Sequence, residues 1–209
     1  MERDGFKLDG DMAEFCGIIS GDGNIWTNMR KYEVTITGSP KDRSYLDRLA
    51  KYVSLRIKSN PYYRQRGRGL RLTIYSVSFF KFLTEEVGFG IGIEKNSRGI
   101  PAPILKSRDN CLSFIRGFFD TDGSIFTSKK KGVFDYPTIE ITNENVRLLR
   151  DIQRILDDEG FRTTFRKSNS NTYKIALHGK YMVKHWASTI GSSHPRKYGR
   201  IESIIKTTD

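Results

Sequence analysis

Cysteine and histidine are scarce in this chain, and long apolar runs are missing. Two cysteines, Cys16 and Cys111, cannot build a disulfide framework, so we expect a reducing, intracellular setting: a prokaryotic cytoplasm or an organelle matrix. The three histidines are scattered and form no His/Cys zinc pattern. No apolar run approaches the roughly 20 residues of a membrane span, and the acidic first residues lack an apolar signal core. We therefore expect neither a membrane association nor a secretion signal.

Acidic residues are outnumbered by basic ones. The 209 residues include 36 Lys and Arg against 24 Asp and Glu, which gives a net charge of +12. Such an excess is expected of a protein that binds a phosphate-rich partner, although a merely basic soluble protein is the alternative at this point. The basic residues do not gather into long tails, which favours a charged folded surface over a disordered arm.

One sequence pattern occurs twice. "FCGIISGDG" begins at Phe15 and "IRGFFDTDG" begins at Ile115. After each copy the same periodicities follow: alternating strands, a helix, a hairpin and a closing helix. Each copy thus predicts a unit of order α-β-β-α-β-β-α, and the Gly- and Pro-rich stretch 88–110 predicts a linker. We assign residues 1–97 to the first repeat with the start of the linker, and residues 98–209 to the end of the linker with the second repeat.

The repeated stretches predict two helices that pack against each other through small residues. Gly17 and Gly21 share one face of the first helix because residues four apart are neighbours on a helix. Gly117 and Thr121 hold the corresponding positions in the second. Small residues at this spacing allow two helix backbones to approach closely, so we expect the two repeats to share this seam.

Packing of this kind places Asp22 and Asp122 side by side at two helix C-termini. A helix C-terminus carries a partial negative charge, and two carboxylates repel each other, so we expect a divalent cation between them. The alternative is that each Asp-Gly pair only turns a helix into a strand. The repetition of the pair in a basic chain favours the metal.

Segments 15–23 and 115–123 resemble the motif of the LAGLIDADG homing endonucleases. The predicted order of elements also resembles that family over nearly the whole chain, and two motifs in one chain resemble its monomeric, pseudo-symmetric members. The resemblance implies an α+β fold of two pseudo-symmetric repeats, each with a curved antiparallel sheet, that form a DNA-binding saddle around central motif helices.

The same resemblance implies a metal-dependent chemistry. Mg²⁺ would be bound by Asp22 and Asp122, with the main-chain carbonyls of Gly21 and Thr121 as plausible further ligands. We expect Mn²⁺ to substitute for Mg²⁺, and Ca²⁺ to bind without supporting efficient cleavage.

A lysine follows each repeat at a matched position. Lys95 and Lys197 lie 102 residues apart, and an arginine follows each of them by three residues, Arg98 and Arg200. The family keeps a lysine here that reaches into the catalytic pocket, where an ammonium group can stabilise charge on a scissile phosphate. The alternative for either residue is an ordinary surface lysine.

The two repeats differ at the end of the second predicted strand. Family members often place a polar, water-ordering side chain there. The second repeat has Asn143 at this position, whereas the first has Gly38, with Ser39 or Lys41 nearby as possible substitutes. We expect the two half-sites to differ in chemistry and one strand to be cut faster.

Strand alternation separates an apolar from a polar face in both predicted sheets. The apolar residues should lie under the helices, and a β-ribbon with a polar face fits the DNA major groove, where Arg reads guanine and Glu reads cytosine. An ordinary solvated face is the alternative. Residues 129–131 are predicted to hold phosphates. The predicted DNA contacts are Trp26, Asn28, Arg30, Glu33, Thr35, Arg64, Arg66, Arg71, Thr73, Ser128, Lys130, Thr138, Glu140, Asn143, Arg166, Ser168 and Lys174.

We therefore predict a monomeric, intron-encoded endonuclease that cuts double-stranded DNA at a long asymmetric site and leaves short 3′ overhangs. An intein origin is disfavoured because the chain starts with Met1 and shows no splicing junction. Two alternatives share the scaffold: an RNA maturase that assists intron splicing, and a DNA-binding regulator. Retention of both motif aspartates disfavours the maturase.

Overall fold

The computed structural model describes residues 5–28, 30–92, 97–130, 132–168 and 171–206. The first repeat contains α1 (Gly10–Asp22), β1 (Gly23–Thr27), β2 (Tyr32–Gly38), α2 (Arg43–Tyr52), β3 (Tyr62–Arg66), β4 (Gly69–Tyr75) and α3 (Val77–Lys81). After α4 (Ala102–Leu105), the second contains α5 (Arg108–Asp122), β5 (Gly123–Lys130), β6 (Val133–Asn143), α6 (Val146–Asp158), β7 (Thr163–Lys167), β8 (Tyr173–His178), α7 (Lys180–Thr189) and α8 (Pro195–Lys206). The predicted element order is present in both repeats.

Both repeats form a four-stranded antiparallel sheet with the same topology. The strand orders are β1-β2-β4-β3 and β5-β6-β8-β7. Gly23 pairs with Ile36 in the first sheet, and Gly123 pairs with Ile141 in the second. The α+β class and the twofold repetition are therefore confirmed.

The motif helices α1 and α5 pack with their backbones in contact. A Cβ atom added to Gly17 would lie 2.0 Å from the carbonyl oxygen of Phe114, and one added to Gly117 would lie 2.0 Å from the carbonyl oxygen of Glu14. The reciprocal contacts confirm the predicted seam. An ion pair crosses it, because the Arg116 guanidinium lies 2.9 Å from the Glu14 carboxylate.

One hydrophobic core runs through both repeats. The sheet residues that we predicted to face the helices are all buried: Leu70, Leu72, Ile74, Ile139, Ile141, Ile175 and Leu177. They pack in the same cluster as Phe15, Ile19, Phe114 and Phe118 of the motif helices. The apolar face of each sheet therefore packs beneath α1 and α5.

Two helices were not predicted from the sequence. Within the stretch 88–110, α4 is a separate helix and α5 already begins at Arg108, so the predicted linker is too long. Past α7, the chain forms α8, which buries Ile201 and Ile204. No helix among the described residues is long and apolar enough to cross a membrane.

Candidate active site

Asp22 and Asp122 are the last residues of α1 and α5. Gly23 and Gly123 follow them, and their amides donate to the carbonyls of Ile19 and Phe119, which closes each helix. The two ends are neighbours: a Cβ atom on Gly21 would lie 2.0 Å from Thr121 Oγ1 and 3.1 Å from Asp122 Oδ2. The glycine therefore allows the carboxylate-bearing ends to meet.

Lys197 lies at the C-terminal end of α5. Its Nζ donates to the main-chain oxygens of Phe119 at 2.6 Å, Asp120 at 2.9 Å and Thr121 at 3.3 Å. Burial lowers the Lys197 pKa to about 8, although the carboxylates of Asp120, Asp122 and Asp22 oppose the shift. An ammonium group thus lies beside both motif aspartates and complements the negative end of the helix dipole. The counterpart Lys95 lies outside the described residues.

A cavity of about 200 Å³ opens beside this lysine and is lined by both repeats. Thr37, Gly38 and Asp42 of the first repeat face Thr121 and Lys197 of the second. The closing segment of the second repeat therefore lines this cavity together with the end of β2 in the first repeat.

The ends of β2 and β6 differ as the sequence predicted. Ile36 pairs with Gly23, and Ile141 pairs with the equivalent Gly123. Two residues further along each strand, Gly38 is therefore structurally equivalent to Asn143. Asn143 Nδ2 donates to Asp122 Oδ2 at 2.8 Å and orients that carboxylate. Gly38 has no side chain to do so for the other half, and a Cβ there would lie 3.3 Å from the Leu46 side chain.

Asp120 is a site residue that our sequence analysis missed. Its side chain is 3% exposed, and it accepts hydrogen bonds from Ser192 Oγ and the Ser193 amide. Burial raises the Asp120 pKa to about 6. The sequence did contain a signal for this residue: the second copy of the motif has Asp120 where the first copy has Ser20.

The Asp120 carboxyl makes the stability of the protein depend on pH. Its pKa is raised from about 4 to about 6 in the folded state, so the folded protein holds this proton more tightly than the unfolded chain. The contribution is fully present below pH ~4 and is lost as pH rises through ~6, by about 3 kcal/mol. We expect the unfolding free energy of wild type minus that of Asp120→Asn to fall by most of this amount between pH 4 and 7.

Urea denaturation of both proteins across this range measures the difference. Asp9 and Asp47, whose pKa values are lowered, titrate alike in both proteins and cancel. A difference that is constant with pH would show that Asp120 does not titrate in this range.

The polar face of the first sheet carries an exposed row of long side chains. Trp26 and Tyr75 are each 41% exposed, and the Tyr75 hydroxyl donates to Glu33 Oε2 at 2.9 Å. In the next row, Thr35 and Thr73 are 1% and 2% exposed. The structure corrects the prediction for these two threonines: alternation placed them on the right face, but larger neighbours cover them.

In the second sheet the predicted DNA contacts interact with one another. Glu140 accepts from Lys174 Nζ at 2.8 Å and lies 3.7 Å from the Arg166 guanidinium. Thr138 Oγ1 is 3.2 Å from His178 Nδ1. Thr138 and Glu140 are buried, so their direct access to DNA is also corrected. Arg166 is exposed and Lys174 is partly exposed.

The other predicted contacts are distributed over turns and edge strands. Asn28 and Arg30 lie in the β1–β2 turn, where the Arg30 amide donates to Asn28 Oδ1. Arg64 is exposed on β3, whereas Ser128 on β5 and Ser168 after β7 are partly buried. The side chains of Arg66 and Lys130 lie outside the part of the chain that the structure describes. Arg71 Nε is buried and, in the described part of the chain, has no hydrogen-bond partner.

The donor set at the helix ends fits a hard divalent cation. The side chains of Asp22 and Asp122 and the nearby main-chain carbonyls supply only oxygen, which Mg²⁺ and Ca²⁺ prefer. Among the described residues, no three His, Cys, Asp or Glu side chains form a metal-binding group. Two carboxylates alone leave coordination positions for water and for a ligand that brings its own oxygens.

Comparison with known proteins agrees with this geometry. Residues 109–191 match the family model described as a LAGLIDADG-like domain. The chain is 27% identical over 219 residues to the tRNA-splicing ligase RtcB of Pyrococcus furiosus, which covers 90% of this chain. It spans 22% of the length of that ligase, and 16% of the length of the next two curated relatives.

Two solved structures share the fold over nearly the full length. I-DmoI in complex with DNA and Ca has a TM-score of 0.67 at 18% identity, covering 94% of this chain and 98% of I-DmoI. The meganuclease I-AabMI bound to uncleaved DNA has a TM-score of 0.61 at 11% identity, covering 95% and 91%. The family model thus matches the second repeat, and the two repeats together share the fold of these solved structures.

Proposed function

We propose that the protein is a site-specific, metal-dependent endonuclease that cuts both strands of DNA. The observation that carries this proposal is the meeting of Asp22, Asp122 and the Lys197 ammonium group at the ends of α1 and α5. Carboxylates that hold a cation, with a second cation beside them, suit a phosphodiester with its negative charge. We also propose that the enzyme is monomeric, because one chain supplies both aspartates and both sheets, and that it is intracellular, because both cysteines are free thiols.

The residues of the site have distinct roles in this proposal. Asp22 and Asp122 would hold Mg²⁺, with carbonyls at the helix ends as further ligands, and Asn143 orients Asp122 through its 2.8 Å hydrogen bond. The bound ion supplies activation of the attacking water and stabilisation of the leaving oxygen. Lys197 places a positive charge beside the scissile phosphate, where it stabilises charge that develops during hydrolysis.

The polar faces of the two sheets would bind the DNA on either side of the site. Trp26 and Tyr75 offer apolar contact area, and Arg64 and Arg166 are exposed cations. Arg71 Nε supports this assignment because a buried donor without a partner costs free energy, which a DNA acceptor would recover. The relatives I-DmoI and I-AabMI were solved with DNA bound.

The proposal is tested by incubating the protein with a random-site plasmid library and Mg²⁺, then sequencing the cleaved ends. We expect cleavage at one long site with short 3′ overhangs and 5′-phosphates. Mn²⁺ should replace Mg²⁺, and Ca²⁺ should support binding with little cleavage. DNA binding without cleavage in any of these ions would favour the regulator, and stimulation of intron splicing without DNA cleavage would favour the maturase.

Binding to DNA should weaken with salt, and the two kinds of predicted contact should respond differently to mutation. Arg64→Ala should relax specificity at one or two base pairs by about 1–3 kcal/mol. Lys129→Ala should weaken all sequences alike and lower the slope of log K against log salt by about 0.9. Titrations at several salt concentrations, on the preferred site and on single-base variants, measure both effects.

Lys51→Ala is the matched control for these titrations, because it removes the same charge from an exposed position on α2. It should leave specificity and the salt slope unchanged. Equal effects of all three substitutions would show that only net charge matters and would remove the assignment of the sheet face.

A further inference from the structure

A buried hydrogen-bond network joins the C-terminal turn of α5 to the segment 192–194. Asp120 Oδ1 accepts from Ser192 Oγ at 2.5 Å, and Oδ2 accepts from the Ser193 amide at 2.9 Å. The hydroxyl of Tyr45, on α2 of the other repeat, donates to Oδ2 at 3.4 Å. One carboxylate thus gathers three donors from two distant parts of the chain.

The segment held by Asp120 leads directly to Lys197. Ser192 Oγ also accepts from the His194 amide at 3.2 Å, and the His194 ring lies 4.6 Å from the Tyr45 ring. His194 accepts at Nδ1 from the Arg196 amide at the start of α8, and Lys197 is the next residue. Residues 192–197 are therefore hydrogen-bonded to the last turn of α5 at both ends, through Ser192 and through Lys197. These two contacts fix the direction of the lysine side chain.

The first repeat has different side chains at the corresponding positions. Ser20 stands where the second motif has Asp120. The buried series Leu46, Leu49 and Val53 has the same spacing as Leu149, Ile152 and Leu156, which aligns Tyr45 with Leu148. A serine hydroxyl accepts at most two hydrogen bonds, and leucine donates none. Ser20 and Leu148 therefore supply neither the carboxylate nor the phenol that the second repeat uses in this network.

We propose that Asp120 is a positioning residue for Lys197, so that loss of Asp120 slows cleavage of the DNA strand that depends on Lys197 more than cleavage of the other strand. The inference rests on the proposed endonuclease function. Its physical basis is preorganisation: a catalytic cation held in place by supporting hydrogen bonds loses less rate to misplacement. The Asp120 side chain is 3% exposed and lines the cavity beside Lys197, and its hydrogen bonds to Ser192 and Ser193 hold the segment that carries the lysine.

The test measures the cleavage rate of each strand separately, on a duplex labelled at both ends that carries the selected site. Lys197→Met identifies the strand that this lysine serves. Asp120→Ser, which copies the first motif, should slow cleavage of that strand about tenfold or more. The other strand should change by less than about twofold. Asp120→Asn should recover part of the rate, because its amide oxygen still accepts a hydrogen bond.

Equal slowing of both strands by Asp120→Ser would reduce Asp120 to a general structural residue and overturn the proposal. Tyr45→Phe removes only one donor and tests the same network if Asp120→Ser does not fold. It should slow the Lys197 strand by about twofold to threefold and leave the other unchanged.

A second measurement needs no cleavage and separates this inference from the proposed function. Pulse labelling with acetic anhydride, read by mass spectrometry, reports how accessible each lysine is. In wild type, Lys197 should label several-fold more slowly than the exposed Lys51 and Lys106. Asp120→Ser should raise labelling of Lys197 alone. Unchanged labelling would overturn the positioning role, whereas absence of any DNA cleavage by wild type would overturn only the endonuclease.

Discussion

Asp122→Asn is expected to reduce double-strand cleavage by at least about a thousandfold while leaving DNA affinity within about threefold. The substitution removes the charge that would hold the cation but hardly any volume, and the Asn143 hydrogen bond at 2.8 Å still finds an acceptor oxygen. Asp22→Asn should behave in the same way. Cleavage of the selected site and binding in Ca²⁺ are measured on the same preparations.

Thermal stability provides an internal check on these two variants. Two carboxylates at neighbouring helix C-termini repel each other and the helix dipoles, so removing one charge without metal should preserve or raise the melting temperature. Asp109→Asn is the matched control because Asp109 is exposed in the first turn of the same helix, far from the site. Normal cutting by either motif variant would refute the assignment of the metal ligands.

Gly17→Ala is expected to destabilise the native state severely. The added Cβ would lie 2.0 Å from the main-chain oxygen of Phe114 and 2.8 Å from the amide nitrogen of Phe118, and a backbone cannot move aside as a flexible side chain can. Separating α1 from α5 would open the core that both repeats share. The cost should exceed the ~1–3 kcal/mol of ordinary overpacking and consume a large part of a typical stability of about 5–15 kcal/mol.

Gly117→Ala tests the same seam from the other side, since its Cβ would lie 2.0 Å from the carbonyl oxygen of Glu14. Gly199→Ala on α8 is the matched control, because nothing lies within 4 Å of a Cβ there. It should stabilise the protein by about 0.5–1 kcal/mol, the usual gain in a helix. Urea denaturation measures all three variants. Near-wild-type stability of both seam variants would mean that the motif helices are not in backbone contact.

The sequence by itself determined the repeated architecture and the two ends of the motif helices. Periodicity reports which face of a strand or helix is apolar, and an internal repeat lets each half support the interpretation of the other. The placement of Asp22 and Asp122 and the equivalence of Gly38 with Asn143 follow from such local patterns. Alternation also assigned Leu72 and Ile139 correctly to the buried face.

The solvent exposure of side chains on the polar face could not be predicted in the same way. Thr35 and Thr73 point away from the helices as predicted, yet they are covered, because exposure depends on the size of side chains in neighbouring strands. Alternation along one strand contains no information about those neighbours. The helix α8 was missed for a related reason: it is a short amphipathic segment whose Ile201 and Ile204 acquire a partner only after the chain has folded.

Only the tertiary structure decided how the site is completed. Lys197 reaches the carbonyl of Phe119 across 78 residues of sequence, and Asp120 binds Ser192 across 72 residues. Tyr45 reaches Asp120 across 75 residues and from the other repeat. Hydrogen bonds between segments so far apart leave no periodic pattern in the sequence, because they depend on how the repeats pack rather than on local spacing. The packing of α1 on α5 brings these segments together and gives the two motif copies, similar in sequence, different surroundings.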